Sequence, residues 1–210
     1  MPSPEDAPGA VRGWLDDLAD IAAAALVAAV HDQPAPTPSR ATARGRLADP
    51  GACFVTLHRT GRLRGCIGTL EARRPLLDDV IANARAAALD DPRFPAVATA
   101  EIDVLEVDVS VLSPAEPLEF DDHADLLRRL RPGTDGIILA YRGRRATFLP
   151  SVWAQLPDPA NFLLHLRHKA GIEDRVPTAA IAVERYTTAH SPAVAPRAAA
   201  ARARTAGLID

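Results

Sequence analysis

Lysine is almost missing from this chain: Lys169 is the only one among 24 basic residues, and the rest are arginine. An Ala/Arg/Pro-rich composition of this kind follows from coding bias, so no arginine-specific function is read from it. Cysteine is nearly as scarce. Cys53 and Cys66 are too few for a disulfide framework, which points to a reducing compartment. A basic excess is also lacking, since 27 acidic residues leave a formal net charge of -3. That argues against a protein built to coat nucleic acid or an anionic membrane. The clusters Arg128-Arg129-Arg131 and Arg142-Arg144-Arg145 lack interleaved aromatics and read as solvated faces. No run approaches the roughly 18–20 apolar residues of a membrane span. The acidic, proline-bearing start, residues 1–9, has no basic signal-peptide region. The expectation is a soluble, cytoplasmic protein. Phosphate loops, dinucleotide fingerprints, and zinc-protease or kinase motifs are absent. Ser110 and Ser113 have no Gly-x-Ser-x-Gly elbow around them. His165 and His168 have no further ligand at plausible spacing, so neither a metal nor a cofactor is expected.

What is present is a globular composition, 48% hydrophobic and 24% charged, over 210 residues. That length suits one domain or two small lobes. Trp14, Leu15, Leu18, Ile21, Ala22, Ala25, Leu26 and Ala29 recur at helical spacing and predict an amphipathic helix. Pro34, Pro36 and Pro38 then make a surface connector. Cys53 to His58 and Leu63 to Leu70 read as a hairpin turning at Thr60-Gly61. A two-residue loop would pair Arg59 with Arg62, Leu57 with Arg64, Val55 with Cys66 and Cys53 with Gly68. Cys53, Val55, Leu57, Arg64, Cys66 and Gly68 would then share one face. Pro75 opens a helix that Asp91-Pro92-Arg93-Phe94-Pro95 ends. Alternation from Ile102 to Leu112 predicts a half-buried strand with Glu106, Asp108 and Ser110 on its polar side.

A short helix is expected over Asp122 to Leu130. A second hairpin follows, Gly136 to Tyr141 and Arg145 to Leu149. Asp158 and Pro159 start a further helix that Gly171 ends. A last strand runs near Thr178 to Tyr186. Residues 191–210, rich in Ala and Arg without other apolar periodicity, read as a frayed helix or a disordered, flexible tail. The sum is an α+β fold with mostly antiparallel sheets and flanking helices.

The most unusual segment is Leu63-Arg64-Gly65-Cys66-Ile67-Gly68-Thr69. Glycines inside a strand mark a bulge or a close backbone approach. A guanidinium two residues from Cys66, on the same face, would favour its thiolate. Cys66 is then either a nucleophile or part of an anion-binding strand. The plainer reading is a small buried hydrophobe whose flanking glycines admit a helix. A Cys53–Cys66 redox pair has poor diagonal geometry. His165 and Lys169, four apart on one helix, place an imidazole and an ammonium together, or simply border the core. Asp91 and Arg93 read by themselves as helix punctuation.

Taken in order, Cys53-Phe54-Val55-Thr56-Leu57, the Arg-Gly-Cys-Ile-Gly strand, Asp91-Pro92-Arg93-Phe94, Ser110-Val111-Leu112-Ser113-Pro114, Phe148-Leu149-Pro150 and Lys169-Ala170-Gly171 resemble the AMMECR-type domain. The resemblance spans roughly Val11 to Tyr186. It implies one domain over residues 1–190, with two unequal lobes and a cleft between them. It further implies similarity to the A component of the AmmeMemoRadiSam system, which accompanies a Memo-like protein and a radical SAM enzyme. The family's biochemical activity is not established, so catalysis stays open. Cys66 is the implied candidate nucleophile. Arg64, Gly65, Gly68, Thr69, Asp91, Arg93, His165 and Lys169 are the implied binding residues for a small-molecule or protein substrate. One departure is Ser151-Val152-Trp153, where the family usually carries Gln-Val after Leu-Pro. Two functions remain in view, a component of a modification system and a non-catalytic module that positions a partner enzyme.

Overall fold

The computed structural model describes residues 8–210, with side chains from residue 13 onward. The N-terminal segment that argued against a signal peptide lies mostly outside the described residues. The chain forms two compact units: one runs to Val111 and resumes at Ala189, the other spans Leu112–Thr188.

In the first unit, α1 (Pro8–Val30) is followed by β1 (Pro50–Arg59), β2 (Arg62–Gly68), β3 (Arg74–Pro75) and α2 (Leu76–Leu89). Next come β4 (Leu105–Leu112) and, after the second unit, β9 (Thr188–His190) and α5 (Pro196–Thr205). Sheet order is β2-β1-β4-β9, with β3 also pairing with β1. Pro75 precedes the first turn of α2 as its N-cap, one position earlier than its spacing suggested. The inner sheet face, Cys53, Val55 and Leu57 of β1 with Leu105, Val107 and Val109 of β4, packs on α1 and α2.

The hairpin begins in the expected register, Arg59 opposite Arg62 across Thr60 and Gly61, which both take positive φ. This is the twist-matched two-residue turn. The register then slips: Leu63 faces His58, but Gly65, not Arg64, faces Leu57. Arg64 is the extra residue of a bulge. Because side chains alternate, one extra residue reverses every face beyond it. Cys66 therefore pairs with Thr56 and lies on the outer face, while Cys53 is buried on the inner one. The shared face expected for Cys53, Cys66 and Arg64 is overturned, and the diagonal cysteine pair with it.

The residues read as a frayed helix or disordered tail form a docked helix, α5. Ala199, Ala200 and Ala203 are buried in the same core as α1, and Ile209 joins them. Alanine supplied the missing periodicity, because its small side chain lets two helices approach closely. From Ile21 to Leu26 α1 is buried all round, as α2 and α5 both pack along it. Arg202 closes the contact with hydrogen bonds to Asp20.

The second unit holds β5 (Glu116–Pro117), α3 (His123–Arg129), β6 (Gly136–Tyr141), β7 (Arg144–Phe148), α4 (Pro159–Lys169) and β8 (Ala182–Tyr186). Its antiparallel sheet runs β5-β8-β6-β7. The turn at Arg142-Gly143 again has two positive-φ residues. Asp158 caps α4 by accepting from the Asn161 N–H, Pro159 follows it, and Gly171 at φ 66° lies just past its end. Trp153 stacks on Phe162 at 3.7 Å in the core. The departure at Ser151-Val152-Trp153 thus puts a packing residue at its end and leaves Ser151 exposed. Among the described residues, no helix is long and apolar enough to cross a membrane.

Candidate functional site

β2 is an edge strand, and its exposed backbone is a liability unless something pairs with it. Asp91 and Arg93 do so at Cys66. The Cys66 N–H donates to Asp91 Oδ2 at 2.8 Å, and Arg93 Nη2 donates to the Cys66 carbonyl at 3.1 Å. Arg93 also donates to both Asp91 oxygens, from Nε at 3.0 Å and Nη2 at 2.7 Å. Two side chains thus stand where a neighbouring strand would. Arg93 and the backbone N–H groups hold the buried Asp91 carboxyl well below the usual carboxylate range.

The Cys66 side chain is half-buried and accepts from the Thr56 hydroxyl at 3.5 Å. Burial pushes its thiol above the ordinary value; Thr56 and Arg93 pull it back in part, while Asp108 and Asp91 add to the rise. The expected thiolate-favouring arginine is not Arg64. The bulge turns Arg64 to Glu101, which it grips through Nε at 3.0 Å and Nη2 at 2.9 Å. That pairing, chiefly, draws the Glu101 carboxyl down to about 2. Arg64 is thereby spent as an anion anchor.

Both strand glycines answer to packing. A Cβ on Gly65 would lie 2.3 Å from the Ala87 carbonyl oxygen, so β2 sits directly on α2. A Cβ on Gly68 would meet the Phe54 ring at 2.3 Å. Thr69 faces inward, donating to Asp79 Oδ2 at 2.6 Å. Asp79 is the hub of a buried network that sequence reasoning missed. It also accepts from the Cys53 N–H at 3.0 Å, Asn83 Nδ2 at 2.9 Å and Arg74 Nε at 2.8 Å. The available signal was two polar residues on the stripe of α2, flanking Val80 and Ala84. Burial, reinforced by Asp79, pushes the Cys53 thiol well up.

On the outer face a polar row continues beyond Cys66. His58 Nδ1 lies 3.4 Å from Asp108 Oδ1, and Ser110 Oγ lies 2.9 Å from His190 Nδ1. Burial pushes the Asp108 carboxyl up against the opposing pull of His58 and His190. Thr56, His58, Asp108 and His190 escaped sequence reasoning because their common face depends on strand order. Among the described residues, no group of three or more His, Cys, Asp or Glu is placed to hold a metal.

His165 and Lys169 belong to the second unit. His165 is exposed on α4. Lys169 Nζ donates to the Thr147 carbonyl at 3.0 Å and sits 5.1 Å over the Phe148 ring. Cys66, Asp91 and Arg93 are the predicted site residues that the first unit joins directly; Gly65, Gly68 and Thr69 shape the strand around them.

Comparison with known proteins agrees with the ordered motifs. A protein of Methanothermobacter thermautotrophicus is 45% identical over 120 residues, covering 57% of this chain and 62% of that protein. A Thermotoga maritima protein is 40% identical over 139 residues, 63% of this chain and 75% of its own length. The match thus spans less than two thirds of the archaeal relative. The crystal structure of an uncharacterized protein from Pyrococcus horikoshii superposes with a TM-score of 0.77 at 29% identity, covering 87% of this chain and 96% of that one. The AMMECR1 family model matches residues 19–191, from within α1 to just past β9, and the chain belongs to the AMMECR1 family.

Proposed function

We propose that this chain is the substrate-contacting component of a modification system, acting with a Memo-like protein and a radical SAM enzyme. The outer face around Cys66 recognises the substrate, and the chemistry belongs to a partner. The observation that carries this reading is the state of the thiol. An attacking cysteine needs a base or a net positive field that lowers its pKa. Cys66 has a hydroxyl donor at 3.5 Å and a thiol pushed up by burial. The nearby guanidinium of Arg93 is matched to Asp91. Such a side chain serves as a shaped, weakly polar contact on a rigid strand, beside the hydrogen-bonding groups of Thr56, His58 and Asp108.

The test is reconstitution with a purified Memo-like protein and a purified radical SAM enzyme, read by analytical ultracentrifugation. A complex is expected, and Cys66→Ser should change its affinity by less than about threefold, under 1 kcal/mol. Thr56→Arg, which places bulk and charge on the substrate-facing side, should leave the complex assembled and lower its modification of substrate by about tenfold or more. Absence of any complex, or abolition by Cys66→Ser alone, contradicts the reading.

A further inference from the structure

Arg167 is the most deeply buried cation described, 6% exposed, yet no carboxylate pairs with it among the described residues. Its Nη2 donates to three main-chain carbonyls, of Glu173 at 2.9 Å, Asp174 at 3.2 Å and Val176 at 2.7 Å. These bonds fix the guanidinium plane and organise the loop after α4. They supply partial charges only. Nε and Nη1 take no acceptor among the described residues. Both of these nitrogens are reachable from solvent, so an incoming anion can take charge-assisted hydrogen bonds from them.

The same side chain lines a cavity of about 500 Å³ within the second unit. Leu163, Leu164, Val176 and Pro177 give the cavity apolar walls, and Leu164 is 40% exposed. Its other polar groups already have partners. Asp174 accepts from His168 Nε2 at 3.1 Å, and Arg175 pairs with Glu173 at 2.7 Å. His123 is occupied with the Thr178 hydroxyl at 3.0 Å. What remains is a concave, largely apolar surface holding a guanidinium with no carboxylate partner, within the size range of small-molecule sites.

We propose that this cavity binds a small carboxylate-bearing molecule with an apolar body, its carboxylate paired with Arg167 and its body against Leu163, Leu164, Val176 and Pro177. The proposal is independent of the role given to the Cys66 face. An Arg167 that merely organised the loop would give the cavity no preference for an anion.

Titration of the full-length, ¹⁵N-labelled chain with hexanoate, and with hexanol as the uncharged control, decides between them by NMR. Hexanoate should produce saturable shifts at the amides of Leu164, Arg167 and Val176, and hexanol should not. Ala160→Trp, which adds bulk at an exposed wall of the cavity, should weaken hexanoate by about tenfold or more. Arg167→Gln should do the same; if it disorders the loop, seen as loss of the native amide pattern at 171–178, Ala160→Trp alone decides. No saturation, equal binding of hexanol, or hexanoate binding unchanged by Ala160→Trp overturns the proposal.

Discussion

Single charged residues in the first unit are committed to holding strands in place. The Glu101 carboxylate is 17% exposed at its side chain, and Arg64 facing it is 11% exposed, so solvent screens this pair weakly. Arg64 and the Ala98 N–H hold Glu101 at about 2, below its unfolded value of about 4.3. Asp91 is displaced in the same direction by Arg93 and the Cys66 N–H. A carboxyl lowered on folding adds stability above its unfolded pKa, and that stability drains as pH falls through the folded value. For Glu101 the window runs from about pH 4.3 down to about 2. Glu101→Gln should therefore cost about 2 kcal/mol at pH 7 and much less near pH 2, where the wild-type carboxyl is itself protonating. Urea unfolding at the two pH values checks this. An equal loss at both would show that the carboxylate charge contributes nothing.

At the level of elements, the chain's own pattern made most of the fold readable, and the exceptions have physical causes. Alternation placed β4 from Leu105 onward, although residues 102–104 end a 3-10 helix and do not begin the strand, and the Asp158-Pro159 start with Gly171 past the end bounded α4. The motif strand was legible too, but not its facing. The bulge at Arg64 depends on how Gly65 seats against Ala87, a contact 22 positions away in the chain, and it reversed the side on which Cys66 emerges. Asp91 and Arg93 read locally as helix punctuation, whereas their bonds to Cys66 are tertiary. For residues 191–210 the docking, and not the helix itself, escaped the sequence, for a different reason. An alanine stripe carries little hydrophobicity, and α5 gains its stability from a partner helix rather than from its own amphipathic face. Ala203 is fully buried and Ala201 exposed in the same helix. Ala203→Asp should destabilise the protein by about 3 kcal/mol, since it buries an unpaired charge. Ala201→Asp should stay within about 0.5 kcal/mol of wild type. Thermal unfolding of the two variants separates a docked helix from a tail, and equal melting temperatures would refute the docking.

For the molecule as a whole, the Arg-Gly-Cys-Ile-Gly strand is explained largely by architecture. Gly65 admits α2, Arg64 anchors Glu101, and the backbone of Cys66 is pinned by Asp91 and Arg93. What the strand offers outward is one thiol of raised pKa in a polar row. That arrangement suits the proposed recognition role, in which the reaction chemistry would belong to a partner. The most direct test is the alkylation rate of Cys66 against pH, followed by peptide mass spectrometry, with buried Cys53 as the internal control. The account predicts slow reaction at neutral pH and an apparent pKa above the ordinary thiol value of about 8.5, moving higher still in Arg93→Ala as its guanidinium is lost. Fast alkylation with an apparent pKa below about 7 would contradict it, and would identify Cys66 as an activated nucleophile.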